Sequence, residues 1–132
     1  MVKAKAIMTT SVVAVTKDTD IYQAIRTMVA NDVTGLPVVA EDQTLVGVVT
    51  EKDVLSLLYN IADHPGTVED FMTRDVVAFD HDDDLLDIAE RLGVNDFRRV
   101  PILEHGKLIG IVSRKDVIRH IRTQKLKESA SA

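Results

Sequence analysis

The sequence predicts an α+β fold, sandwich-like, made of two tandem β-α-β-β-α units related by pseudo-two-fold symmetry. Three observations predict it. First, the sequence repeats: Met8-Thr9 returns 64 residues later as Met72-Thr73, and Leu36-Pro37-Val38-Val39 returns as Val100-Pro101-Ile102-Leu103. Second, each copy alternates short β-branched runs with stretches of helical periodicity. Third, 132 residues suffice for one domain or two very small ones sharing a core. A copy of about sixty residues buries little surface alone, so two copies packed sheet against sheet are expected.

Each element follows in order. Val12-Val13-Ala14-Val15, repeated as Val76-Val77-Ala78-Phe79, is β-branched and reads as a strand. Asp18-Thr19-Asp20 offers helix-capping side chains. Ile21, Ala24, Ile25 and Met28 then fall on one helical face, as do Leu85, Ile88, Ala89 and Leu92. After Asn31-Asp32, echoed by Asn95-Asp96, two apolar runs flank a polar turn and read as a β-hairpin: Leu36 to Val39 and Leu45 to Val49. Leu108-Ile109-Gly110-Ile111-Val112 repeats the second run, after one residue has been lost in the turn. A second helix is expected from Thr50, carrying Val54, Leu55 and Leu58, and its counterpart from Ser113, carrying Val117, Ile118 and Ile121. The expected division is 1–62 for the first repeat, 63–70 for a linker and short helix, 71–123 for the second repeat, and 124–132 for a frayed polar tail.

Composition excludes several classes of function. The chain has no Cys, which removes disulfides, thiolate metal sites and a cysteine nucleophile. Hydrophobic residues at 45% and charged residues at 28% describe globular material rather than a disordered chain. A net charge of −5 and 4% aromatics argue against a nucleic-acid partner. No signal peptide or membrane span is legible, so a cytoplasmic setting without membrane contact is expected. No P-loop, Gly-x-Ser-x-Gly or His-Glu-x-x-His motif is present, so no enzyme is expected.

The chemistry-bearing motif is Gly-x-x-[Thr/Ser]-x-x-Asp at a strand end. It occurs as Gly47 to Thr50 and Asp53, and as Gly110 to Ser113 and Asp116. A hydroxyl followed three residues later by an acid is close to a capping box. The same geometry suits a ligand: a helix N-terminus offers free N–H groups to phosphate, and a carboxylate can accept from a ribose diol. Arg98-Arg99 precedes Pro101 and reads either as a solvated or salt-bridged surface pair or as a phosphate clamp. Asp80-His81-Asp82-Asp83-Asp84 fails as an EF-hand loop, because Leu85 and Arg91 stand where Gly and Glu are needed. Capping and solvated charge explain it better. His64, His81, His105 and His120 show no metal-ligand spacing, so no metal is expected. The basic stretch from Arg114 to Lys127 reads as a solvated helix face, with ligand phosphate or a charge-complementary homodimer contact as alternatives.

The repeated hydrophobic-Pro-hydrophobic-hydrophobic strand, polar turn and Gly-x-x-[Thr/Ser]-x-x-Asp-hydrophobic ending resemble a cystathionine-β-synthase (CBS) domain pair, or Bateman module. The resemblance spans roughly Ala4 to Ile121. It implies a stand-alone, regulatory, commonly dimeric module that senses an adenylate: AMP, ADP, ATP, NAD or S-adenosylmethionine. It also implies two unequal clefts. In the main one, Ser113 and Asp116 meet phosphate and ribose, Arg98 and Arg99 meet phosphate, and Thr9, Val13, Val33, Thr34, Gly35 and Ile111 enclose the base. In the second, Thr50 and Asp53 hold ribose and phosphate while Thr73, Val77, Phe97 and Arg98 line the base side. Thr34 and Gly35 stand there in place of the two arginines, so that cleft lacks phosphate cations. The alternative function is a ligand-free dimerisation or scaffold module. An unidentified regulated protein completes the expected partners.

Overall fold

The computed structural model describes residues 1–59, 64–94 and 98–131. Phe97, Asn95-Asp96 and the junction expected at 62–63 lie outside the described residues. The chain divides into two compact units: a contiguous one, Val13–Val76, and a composite one, Met1–Val12 with Val77–Ala132.

The contiguous unit is organised around helix α2 (Ile21–Ala30) and an antiparallel hairpin, β1 (Gly35–Val39) and β2 (Leu45–Thr50). Asp20 caps α2 by accepting from the Tyr22 and Gln23 N–H groups, which leaves Ile21, Ala24 and Met28 facing inward. They pack with Val15, Leu36, Val38, Val49, Leu57 and Val68 into one core. β2 runs into α3 (Glu51–Val54), followed by a 3₁₀ turn over Leu55–Leu58, and α4 (Val68–Phe71) closes the unit.

The composite unit repeats this plan. β3 (Phe79–Asp80) pairs parallel with β4 (Arg99–Glu104), which pairs antiparallel with β5 (Lys107–Ser113). Helix α5 (Leu85–Leu92), capped by Asp84, buries Leu85, Ile88 and Leu92 against Val100, Ile102 and Val112. The amino-terminal helix α1 (Ala4–Ile7) docks here, with the Ala4 N–H donating to the Asp83 carbonyl at 2.9 Å and Ala4 fully buried. Helix α6 (Arg114–Ser131) follows β5 directly.

The compact units are cut out of phase with the sequence repeats, and one contact explains why. In each unit the middle of the second hairpin strand pairs with a Met-Thr segment. Thr9 and Ile111 exchange both backbone hydrogen bonds at 2.8 and 2.9 Å, and Thr73 and Val48 do the same at 2.8 and 2.9 Å. The preceding methionine then crosses the motif glycine. A Cβ on Gly110 would sit 2.5 Å from Met8 Sδ, and one on Gly47 would sit 2.8 Å from the Thr73 carbonyl oxygen. Glycine is required there by close approach rather than by a special φ.

Three expectations need correction. Val12 to Val15 is not a strand: Val12 donates to Thr10, and only Val15 bridges to Val38, so no ladder forms. In the second copy, strand pairing begins only at Phe79. The second helix of the first copy lasts one turn before tightening into 3₁₀ geometry, which rotates Leu57 inward and leaves Leu55 and Leu58 61% and 72% exposed. The tail is helical: α6 runs through Gln124 to Ser131, where Gln124, Lys125, Leu126, Lys127 and Glu128 are good helix formers and no Gly or Pro intervenes.

Candidate functional site

Both Gly-x-x-[Thr/Ser]-x-x-Asp motifs fold into capping boxes. Asp116 Oδ2 accepts from the Ser113 N–H at 2.8 Å and the Ser113 hydroxyl at 3.0 Å. Asp53 Oδ2 accepts from the Thr50 N–H at 2.8 Å and its hydroxyl at 3.1 Å. The other carboxylate oxygen engages the Met-Thr segment. Thr9 Oγ1 donates to Asp116 Oδ1 at 3.1 Å, and Thr73 Oγ1 donates to Asp53 Oδ1 at 3.0 Å. The sequence motif and the distant Met-Thr repeat therefore belong to one hydrogen-bonded cluster in each unit.

A carboxylate offers about four lone-pair sites. In Asp116, which is only 7% exposed, Oδ2 is filled and Oδ1 holds Thr9 together with a long 3.5 Å contact from Arg119. A vicinal diol needs two acceptor sites, so one could bind there only if both the Thr9 hydroxyl and the long Arg119 contact gave way. The box is thus a cap whose carboxylate is satisfied from within the unit, by Ser113 on Oδ2 and Thr9 on Oδ1.

The two units differ at the residue facing the box. Arg99 is the direct cross-strand partner of Ser113, which puts both side chains on one face of the sheet. Its Nε is sealed from solvent and lacks a hydrogen-bond partner among the described residues. At the same register of the contiguous unit, Gly35 faces Thr50 with no side chain at all. Arg98 is exposed, and its carbonyl accepts from the Arg114 N–H at 3.0 Å, just as Thr34 accepts from Glu51 at 2.9 Å.

The remaining expected residues distribute plainly. Ile111 is half-buried beside Thr9, and Val77 packs against the composite core. Val13, Val33, Thr34 and Gly35 belong to the contiguous unit, where Val33 packs against the core and Val13 is 40% exposed. Arg114 is held against the end of α5: its Nε donates to the Leu92 carbonyl at 2.8 Å and an Nη to the Val94 carbonyl at 3.1 Å. Those bonds cap the end of α5.

A family model, the CBS domain, matches this chain twice, over residues 4–60 and 68–123. The chain belongs to the CBS domain family. As a tandem CBS pair it superimposes on the CBS-pair protein CBSX2 from Arabidopsis thaliana with a TM-score of 0.84 at 34% identity, covering 93% of this chain and 96% of that one. A second CBSX2 structure, in complex with AMP, matches at 0.83 and 33% identity, covering 95% and 99%. Protein MJ1225 of Methanocaldococcus jannaschii is 33% identical over 115 residues, or 87% of this chain. The chain spans 41% of that relative's length and 23% of the inosine-5'-monophosphate dehydrogenase from the same organism.

The acidic segment of this CBS pair is a docking turn. Asp80 Oδ2 accepts from the Asp82 N–H at 3.0 Å, and that bond is the chief reason its carboxyl is held below the usual carboxylate range. Asp82 is lowered too, first by Lys5, whose ammonium lies 3.1 Å away, while Lys3 lies at 3.5 Å. His81 sits among Asp80, Asp82 and Glu104 at 3.0, 3.7 and 3.4 Å. The cluster pins α1 through Lys3 and Lys5, and among the described residues it forms no ion pair with Arg98 or Arg99. Among the described residues no helix is long and apolar enough to cross a membrane.

Proposed function

We propose that this CBS pair is a non-catalytic regulatory module whose composite unit binds an adenosine nucleotide. Asp116 and Ser113 take the ribose and Arg99, with Arg98, takes phosphate; the Thr50–Asp53 box forms a weaker second site. The observation that carries this reading is the pairing of Arg99 with Ser113, which sets a buried guanidinium nitrogen, without a partner among the described residues, on the strand opposite a hydroxyl–carboxylate box. An unpartnered buried donor is costly, and an anionic phosphate is the natural acceptor for guanidinium. The AMP complex of CBSX2 supports the ligand class. AMP, ADP, ATP, NAD and S-adenosylmethionine are the candidates, and signalling to a regulated partner follows from the ligand's differential affinity for two states of the module.

Calorimetric titration of the five ligands tests it. At least one binds the wild type; Arg99→Ala and Asp116→Asn weaken it about tenfold or more, while Asp53→Asn costs much less. Equal losses at Asp116 and Asp53 would refute the ranking, and silence from all five would refute the reading.

A ligand-free dimerisation module is the second reading, favoured by the internal saturation of Asp116. It expects a stable dimer whose melting temperature ignores every adenylate.

A further inference from the structure

The composite unit holds a groove of about 780 Å³ between α1 and the face of α6 that begins at Asp116. Its helical wall is Asp116, Arg119, His120, Thr123 and Lys127, a stripe at i, i+3, i+4, i+7 and i+11. Lys3 and Lys5 form the facing wall, and Thr9 closes the end beside the carboxylate. The groove therefore starts at the group assigned to ribose and continues past cations and a hydroxyl. Among the described residues that line it, Asp116 is the only carboxylate. Arg119 is an accessible cation beside that group: its side chain is 73% exposed and it lies 3.5 Å from Asp116 Oδ1. At about 1.5 Å rise per residue, Thr123 lies roughly 10 Å along the axis from Asp116. A triphosphate chain has about that reach.

We infer that this groove is a subsite for a phosphate chain and biases the module toward nucleoside di- and triphosphates over the monophosphate. The inference rests on the adenylate reading above and deepens it. With the phosphate next to the sugar on Arg99, Arg119 takes the phosphates beyond it, and Lys3 and Lys5, which otherwise pair with Asp82 at 3.5 and 3.1 Å, neutralise them from the α1 side. The same chemistry could serve a free polyphosphate, so both sources belong in the test.

AMP, ADP, ATP and inorganic tripolyphosphate are titrated separately into the full chain at low and moderate salt. The inference expects affinity to rise from AMP to ADP to ATP, with the ATP advantage shrinking as salt rises. Arg119→Gln should lose about tenfold for ATP while changing AMP by less than about twofold. Lys125→Gln, nine residues on from Asp116 and so on the opposite side of α6, should alter neither. AMP binding as tightly as ATP overturns the inference and leaves the adenylate reading standing. Equal losses for AMP and ATP in Arg119→Gln overturn it too, because Arg119 would then act only through Asp116. Tripolyphosphate binding without any adenylate binding, or no binding at all, would sink both readings together.

Discussion

At the level of single residues, glycine, methionine and threonine explain one another. Gly110 lacks a side chain because Met8 lies across it, and Met8 lies across it because Thr9 pairs with Ile111 and Asp116. Gly110→Ala should therefore destabilise the protein by about 1–3 kcal/mol through overpacking. Met8→Ala in the same chain should restore part of that, because the clash is with a flexible thioether. Urea denaturation of the single and double variants checks this; simple additivity would contradict it. The sequence made the Met-Thr repeat and the glycine motif visible separately. It could not show that each Met-Thr pairs with the hairpin of the other repeat, since local pattern carries no pairing information and one of the two contacts, Thr9 with Ile111, joins positions about a hundred residues apart. The box residues were legible because capping and ligand chemistry demand the same types at the same spacing. The Arg99 nitrogen that lacks a partner among the described residues was not legible, because solvation depends on packing.

Among the elements, those with strong periodicity were read correctly and those relying on partners were not. Helices α2 and α5 bury the faces their spacing implied. The run at Val12 to Val15 has β-branched residues, but strand character needs a neighbour along its length, and Thr9 and Val15 take different ones. Helix α6 outlasts its packing because propensity alone sustains its exposed half. Helix α1 depends on charge. Asp80 and Asp82 both have carboxyls lowered below their usual 3.8, so their contribution is present above that value and is lost as pH falls through the lowered one. Hydrogen exchange of Ala4 and Lys5 should accelerate, relative to the intrinsic rate, when pH drops from 6 to about 3. Unchanged protection would show that burial of Ala4 alone holds the helix.

For the molecule as a whole, the duplication and the CBS-pair fold were legible, because repeats and periodicity survive without any knowledge of packing. What the sequence placed inside and the structure leaves outside is the apolar face of the second helices. Leu55 and Leu58, and equally Ile118 and Ile121 at 64% and 61% exposure, lie at matching positions of the two repeats. Exposed apolar groups repeated in this way fit a symmetric self-association surface. Light scattering should show a dimer that Ile118→Glu with Ile121→Glu converts to monomer; a monomeric wild type would contradict this.

The central claim concerns Asp116 and what replaces Thr9 on it. A crystal structure of the protein grown with its tightest adenylate tests this most directly. The account predicts a ribose hydroxyl within hydrogen-bond distance of Asp116 Oδ1, the Thr9 hydroxyl turned away, and a phosphate oxygen on Arg99. A nucleotide bound elsewhere, with the 3.1 Å Thr9–Asp116 bond intact, would contradict it.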